Sequence, residues 1–162
     1  MLASGVALGV IAGLAIGRSW RPLIAVQIQW FPLLIAGLVV RAAAPLLPVI
    51  AFPLYVFALG GTAASAAANA RLTGALLVAI GGGLNVAVVL LNHGMPVDAS
   101  AVAIAGASMP SDALHLAVTD GTVLRALADV IPVPIAHAVY SVGDFFIALG
   151  GFVVPFALLT RR

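Results

Sequence analysis

Five apolar segments, at about residues 2–17, 30–47, 49–68, 72–91 and 138–160, constrain this chain more than any other feature of it. Most approach the roughly 20 residues that carry a helix across a hydrocarbon core, and the first is the short one. The chain is 64% hydrophobic and 7% charged with a mean hydropathy of +1.24, whereas a soluble domain carries roughly 25% charged residues. The expected fold is therefore all-α: a single polytopic membrane bundle over residues 1–162, of about five spans. Residues 2–17 have the length of a signal-peptide core, but no basic stretch precedes them. Arg18-Ser19-Trp20-Arg21 is no small-residue cleavage site, so they read as a retained span.

The charges give orientation. All seven basic residues are arginine, and placing Arg18 and Arg21 in the cytoplasm puts Arg71, Arg161 and Arg162 there too. The N-terminus then lies outside and the C-terminus inside, in a bacterial cytoplasmic membrane; the abundance of Ala, Gly and Val with Arg but no Lys reads as a GC-biased bacterial genome. Residues 92–137 fall outside, and they carry most of the titratable groups: all five aspartates and all three histidines lie after residue 92. A net charge of +2 without an arginine-rich run argues against nucleic acid as a partner. The absence of Cys removes disulfides and thiolate chemistry, and the absence of Lys removes Schiff-base chemistry.

Local patterns refine this picture. Gly5, Gly9, Gly13 and Gly17 recur every four residues, a stripe that lets a second helix approach closely. Packing inside the bundle is the expected use, and a homo-oligomer seam is the alternative. Residues 18–29 alternate Ile24, Val26 and Ile28 with Ala25, Gln27 and Gln29, the period of a strand, and lie between Trp20 and Trp30 as an interfacial segment would. A second span that starts at Trp30 places Arg41 about 16 Å along it, near mid-bilayer. One that starts at Pro22 brings Arg41 to the outer surface.

Pro45, Pro48 and Pro53 predict a kink at the start of the third span, and the small residues from Gly60 to Ala70 predict close packing in its second half. Gly81-Gly82-Gly83 predicts an irregularity or a close crossing in the fourth. Residues 92–137 read as a short helical cap: a helix from Asp98, a turn at Thr119-Asp120-Gly121, then an amphipathic helix over Thr122–Val130 ended by Ile131-Pro132-Val133-Pro134. Asp98, Ser111, Asp112 and Thr122 are candidate helix caps.

The motifs Leu84-Asn85, Asn92-His93-Gly94-Met95-Pro96-Val97, Thr119-Asp120-Gly121-Thr122, Leu127-Ala128-Asp129-Val130-Ile131-Pro132 and Ser141-Val142-Gly143-Asp144 resemble those of a family of small bacterial integral membrane proteins known only as a domain of unknown function. The resemblance covers residues 84–151; before them the match is of hydrophobic spans alone. It implies a fold and no mechanism. A second resemblance, to lipoprotein signal peptidases, rests on Gly81–Asn85 and on Val139–Asp144. It implies a pair of aspartates sharing a proton to activate water. Val88 stands where the first of those aspartates belongs, and Asp98 could replace it only by folding back.

The candidate polar cluster is Arg41, Asn85, Asn92, His93, Asp129 and Asp144. Asp144 is an intramembrane carboxylate and a functional candidate for that reason; an Arg41–Asp144 pair would satisfy both charges. Asp129, four residues after Arg125, reads either as half of an exposed ion pair or as a ligand group. His93 is expected to fix the turn that opens the cap. The histidines are 22 residues apart at each step, without the close spacing that preorganises a metal site, so no metal, cofactor or catalytic residue is assigned. The expected function is the binding of a lipid, a small ligand or a partner membrane subunit at this outer cluster. An aspartyl membrane hydrolase and a small oligomeric transporter are the alternatives.

Overall fold

The computed structural model describes residues 1–43, 46–112 and 114–161. Its helices are α1 (Leu2–Ala15), α2 (Arg21–Ala25), α3 (Phe31–Ala43), α4 (Ala51–Ala68), α5 (Ala75–Asn92), α6 (Ala99–Ala105) and α7 (Val142–Thr160). Between α5 and α7 lie four short strands, β1 (Met95–Val97), β2 (His115–Ala117), β3 (Ile131–Val133) and β4 (Ala138–Tyr140). Among the described residues three helices, α4, α5 and α7, are long and apolar enough to cross a membrane. With 14 and 13 residues, α1 and α3 are apolar but shorter. At 1.5 Å per residue each is about 20 Å long, against roughly 30 Å of hydrocarbon.

Glycine sets how the helices pack. A Cβ on Gly5 would collide with the Ala148 carbonyl, one on Gly9 with the Phe152 carbonyl, and one on Gly13 with Leu159. The stripe therefore lies against α7, which runs parallel to α1, and its use is internal. Gly17 takes no part; it sits past the end of α1 at φ +77°. The triplet in α5 leaves the helix unbroken and makes a close crossing instead. Gly81 faces the backbone of Gly143 and Ile147 and the Phe146 side chain, Gly82 faces Ala63 of α4, and Gly83 faces open space. In the small-residue half of α4, Thr62 meets Gly37 of α3 and Gly61 meets Leu33.

These contacts make α3, α4, α5 and α7 alternate in direction. Met1 and residues 93–141 consequently share one end, the cap end, and Arg18, Arg21, Arg71 and Arg161 share the other. At that far end residues 18–29, whose two-residue period left helix and interfacial strand both open, form no strand. Arg21–Ala25 is a helical turn with Pro22 at its start, and Val26 is extended. Backbone groups of the following segment are satisfied from α4 and the turn after it. Gln29 donates to Asn69 Oδ1 at 2.8 Å, Asn69 Nδ2 returns a bond to the Gln29 carbonyl at 2.8 Å, and Arg71 donates to the Gln27 carbonyl at 2.8 Å. Side chains therefore supply the partners that a ladder would have supplied. Of the proline-rich start of the third span, Pro45 lies outside the described residues, Pro48 opens a 3-10 turn (Pro48–Ile50), and Pro53 sits in the first turn of α4, where no helical donor is lost.

The cap departs from the all-α expectation. Asp98 does cap α6, its carboxylate accepting from the Ser100 amide at 2.8 Å and the Ala101 amide at 3.3 Å, and Gly106 ends the helix at φ +62°. The rest is strand and turn. β1 pairs in parallel with β2, and β3 pairs antiparallel with β4. The amphipathic run over Thr122–Val130 is not a helix: only Arg125–Leu127 forms a 3-10 turn, and Ala128 is extended. The cause is competition for hydrogen bonds. Asp129 donates to the Pro96 carbonyl and accepts from the Asp98 amide, both at 2.9 Å, so β1 takes the groups a helix would have used. Val88, Val89, Tyr55, Met95, Leu114 and Ala128 form one buried cluster where cap and bundle meet.

The glycine contacts generate a paired expectation. Gly9→Val forces α1 off α7 and should lower stability by about 1–3 kcal/mol. Gly83→Ala fills open space and should hold or raise stability by up to about 1 kcal/mol. Thermal unfolding in detergent micelles checks both.

Candidate functional site

The N-terminus of α7 is buried against α5, so its free amide donors need partners. Ser141 supplies one by accepting from the Asp144 amide at 3.0 Å, and the Asp144 carboxylate accepts from the Ser141 amide at 3.2 Å, a reciprocal capping box. Asn85 completes the node. Its Nδ2 donates to Asp144 Oδ1 at 3.2 Å, and its Oδ1 accepts from the Ser141 hydroxyl at 2.9 Å. Only glycine fits at 143, because a Cβ there would overlap Asn85 Oδ1. The Leu84-Asn85 and Ser141–Asp144 motifs are therefore two halves of one junction.

Asp129 is placed by the backbone bonds that hold it to β1. It is 9% exposed, and its Oδ1 has no hydrogen-bond partner among the described residues. Burial, reinforced by the Asp144 charge and opposed by Arg41, pushes its carboxyl from 3.8 up to about 7. The expected exposed pair with Arg125 does not form. Without a helix over 122–130 the two residues do not share a face, and Arg125 reaches Asp98 instead at 3.3 Å.

Arg41 lies in the last turn of α3, at the cap end. Its guanidinium covers the Tyr55 ring at 4.5 Å from the centroid. Among the described residues it forms no ion pair, so the Arg41–Asp144 bridge is absent. The two residues nonetheless line one cavity of about 380 Å³, together with Asn85 and Asp129. Four of the six candidate residues thus converge. The cavity sits between the cap and the ends of α3, α4, α5 and α7, and Tyr55, His115 and Tyr140 complete its polar wall. No sequence pattern marked those three, since each comes from a different element at long separation.

Asn92 and His93 lie outside this wall and are structural. Asn92 donates to the Val88 and Val123 carbonyls at 2.8 and 2.9 Å and accepts from the Val123 amide at 2.9 Å, tying the loop before the 3-10 turn to α5. His93 ends α5 at φ +58° and fixes the turn into β1, with its ring 5.8 Å from that of Phe52. Of the other candidate caps, Asp112 accepts from the Leu114 amide at 2.8 Å in a turn and pairs with His115 at 2.8 Å, while Thr122 Oγ1 accepts from the Thr119 amide at 2.9 Å. Neither caps a helix. Among the described residues no three potential ligands gather as a metal site.

Asp98 does not reach the cavity. Hydrogen bonds from the Ser100 hydroxyl and amide, then from Ala101 and Arg125, bring its carboxyl down to about 2. It stays ionised at any physiological pH and cannot share a proton with Asp144. The second carboxylate at the cavity is Asp129.

Residues 14–156 match a family described as of unknown function, DUF5317, and the chain belongs to that family. No curated protein and no solved structure matches it.

An unfolded aspartate titrates near 3.9. Between that value and about 7 the folded state holds a proton at Asp129 that the unfolded state has lost. Stability should therefore fall as pH rises through this window, by on the order of 4 kcal/mol, and level off above it. Asp129→Asn should flatten that dependence. Equilibrium unfolding in micelles at pH 4 to 8, wild type beside variant, measures it.

Proposed function

We propose that this member of a family of unknown function is a five-pass protein of a bacterial cytoplasmic membrane, and that its polar cavity binds a small or lipid ligand on the outer face. Two of the passes are the short helices α1 and α3, around which the bilayer thins, at a cost of fractions of a kcal/mol per Å. Arg18, Arg21, Arg71 and Arg161, with Arg162 next in sequence, gather at the end away from the cap. Lipid-flanking arginines favour the cytoplasm, which puts cap and cavity outside.

One observation carries the binding reading. Among the described residues, a buried acid with an unpartnered oxygen shares a cavity with an arginine that forms no ion pair. Each is unfavourable alone, and a protein maintains both at one place when something else completes them. Native mass spectrometry of mildly extracted protein tests this. Wild type should carry an added mass that Arg41→Gln loses; bare protein in both samples, or the same mass in both, contradicts it.

A second reading has its own support. Asp129 and Asp144 line one cavity, and the charge on Asp144 helps keep Asp129 protonated, which is the asymmetry of an aspartyl hydrolase. Both oxygens of Asp144 are already engaged, by Asn85 and the Ser141 amide, which leaves little of it to activate water. Loss of membrane-peptide cleavage in Asp129→Asn with the bound mass retained would favour this reading. A small oligomeric transporter has less support: a glycine-broken fourth span and intramembrane charges would suggest one, and α5 runs unbroken through Gly81-Gly82-Gly83.

A further inference from the structure

Below the polar cavity lies a second, larger one of about 590 Å³. Val6, Val10, Leu34, Val78, Val154 and Leu158 are among its walls, and Leu23 and Ile28 lie at its far end. The two cavities adjoin: Leu2, Ala3, Leu38 and Thr62 border both. One is polar and at the cap end; the other is almost wholly apolar and runs toward the opposite end of the bundle. The apolar chamber extends from Thr62 to Asn69 along α4 and from Gly151 to Leu158 along α7, so it is about 10 Å deep. An extended chain advances about 1.2 Å per bond, so roughly eight bonds fill it.

We infer that the ligand is a single-chain anionic amphiphile, a medium-chain fatty carboxylate, with its head at Arg41 and Asp129 and its chain in the apolar chamber. The inference rests on the binding reading above and names the class of ligand. Arg41 supplies a positive charge that no ion pair takes up among the described residues, and a protonated Asp129 donates to a carboxylate through a group with no other partner among them. The other polar groups facing that position are Tyr55, Thr62, Asn85, His115, Tyr140, Asp144 and the amino group of Met1. Among these Asp144 is a carboxylate already held by hydrogen bonds at a helix N-terminus. Ionisation of Asp129 would set a second negative charge beside the head, so binding weakens as pH rises through about 7.

The route in is lateral. α1 packs along α7 and α3 along α4, while α1 and α3 do not form a packed pair, although both border the chamber. They are also the two short apolar helices, so the side of the bundle between them is the least closely packed route to the chamber. A chain already dissolved in the bilayer can slip between them without its head leaving the membrane surface. A two-chain lipid would need a second apolar slot, and the chamber offers one.

The test uses the full chain in vesicles of zwitterionic lipid, with a photoreactive decanoic acid carrying a terminal diazirine, and the matching decylamine as a control. Crosslinks from the acid should concentrate on Val10, Val154 and Leu158. Arg41→Gln should reduce them at least tenfold, as should Ala66→Phe or Val154→Phe, which fill the chamber from facing helices without touching the polar wall. Two filling variants guard against one that misfolds, and helicity and monodisperse elution check each. Raising pH from 6 to 8 should weaken labelling in wild type and not in Asp129→Asn.

The failures separate. Loss in Arg41→Gln but not in either filling variant overturns the chamber as the site of the chain and leaves the polar cavity a binding site. Equal labelling by the amine overturns the anionic head. Crosslinks spread evenly onto the outward-facing Leu8, Ile11, Leu76 and Ile80 mean bulk lipid only. If native mass spectrometry also finds bare protein, both this inference and the binding reading fall.

Discussion

The hydrogen-bonded node of Asn85, Ser141 and Asp144 is what the rest of the structure hangs on. The amide donors at the start of α7 emerge where two glycine-lined helices touch backbone to backbone, with Ser141 and Gly143 buried in the contact. In such surroundings an unsatisfied donor costs several kcal/mol. The capping box and the Asn85 amide resolve that cost and lock α7 to α5 about two turns before α5 ends. Everything else is referred to α7. α1 lies along it through Gly5, Gly9 and Gly13, and the β3–β4 hairpin leads directly into it. An aspartate deep in an apolar sequence is thus explained first as architecture. Its second consequence is electrostatic, because the charge it brings helps keep Asp129 neutral.

That division of labour between the two aspartates makes the cavity unusual. Asp144 is half-buried with both oxygens engaged; Asp129 is buried and has one oxygen engaged by nothing among the described residues. Nor does Arg41 neutralise either, since it rests on the Tyr55 ring. A chamber that holds an unpaired cation and an uncompensated acid, with apolar space beneath them, is matched by a molecule with a head of the complementary kind and a tail. Folding alone gives no reason to keep the three together.

The apolar helices, three of them long enough to cross a membrane, the far-end arginines and the glycine stripe were legible because each is a local signal. Five apolar segments reappear as α1, α3, α4, α5 and α7, and four-residue glycine spacing correctly implied a parallel or antiparallel neighbour at short range. The cap was not legible. Thr122–Val130 has the apolar spacing of a helix, yet the amide and carbonyl of Asp129 pair with Pro96 and Asp98, more than 25 residues earlier, and periodicity carries no information about such a partner. The error spread to Asp129, which a helix would have placed beside Arg125 on the surface. The resemblance motifs fared better than their individual readings. Asn85 and Asp144 meet through Ser141, and Pro96, Val97 and Asp129 meet across β1, so motifs far apart in sequence describe one compact piece of structure. Tyr55, His115 and Tyr140 left no trace in the sequence, because what unites them is the cavity alone.

The central claim is that Asp129 is a neutral acid facing an accessible polar cavity. Infrared spectroscopy of the protein in native-like membranes addresses it directly, through the carbonyl stretch of a protonated carboxyl group. The account predicts such a band at pH 6, absent from Asp129→Asn, declining through about pH 7, and shifting in frequency when decanoate is added. A spectrum at pH 6 with no protonated carboxyl band, or a band that survives unchanged in Asp129→Asn, would contradict it.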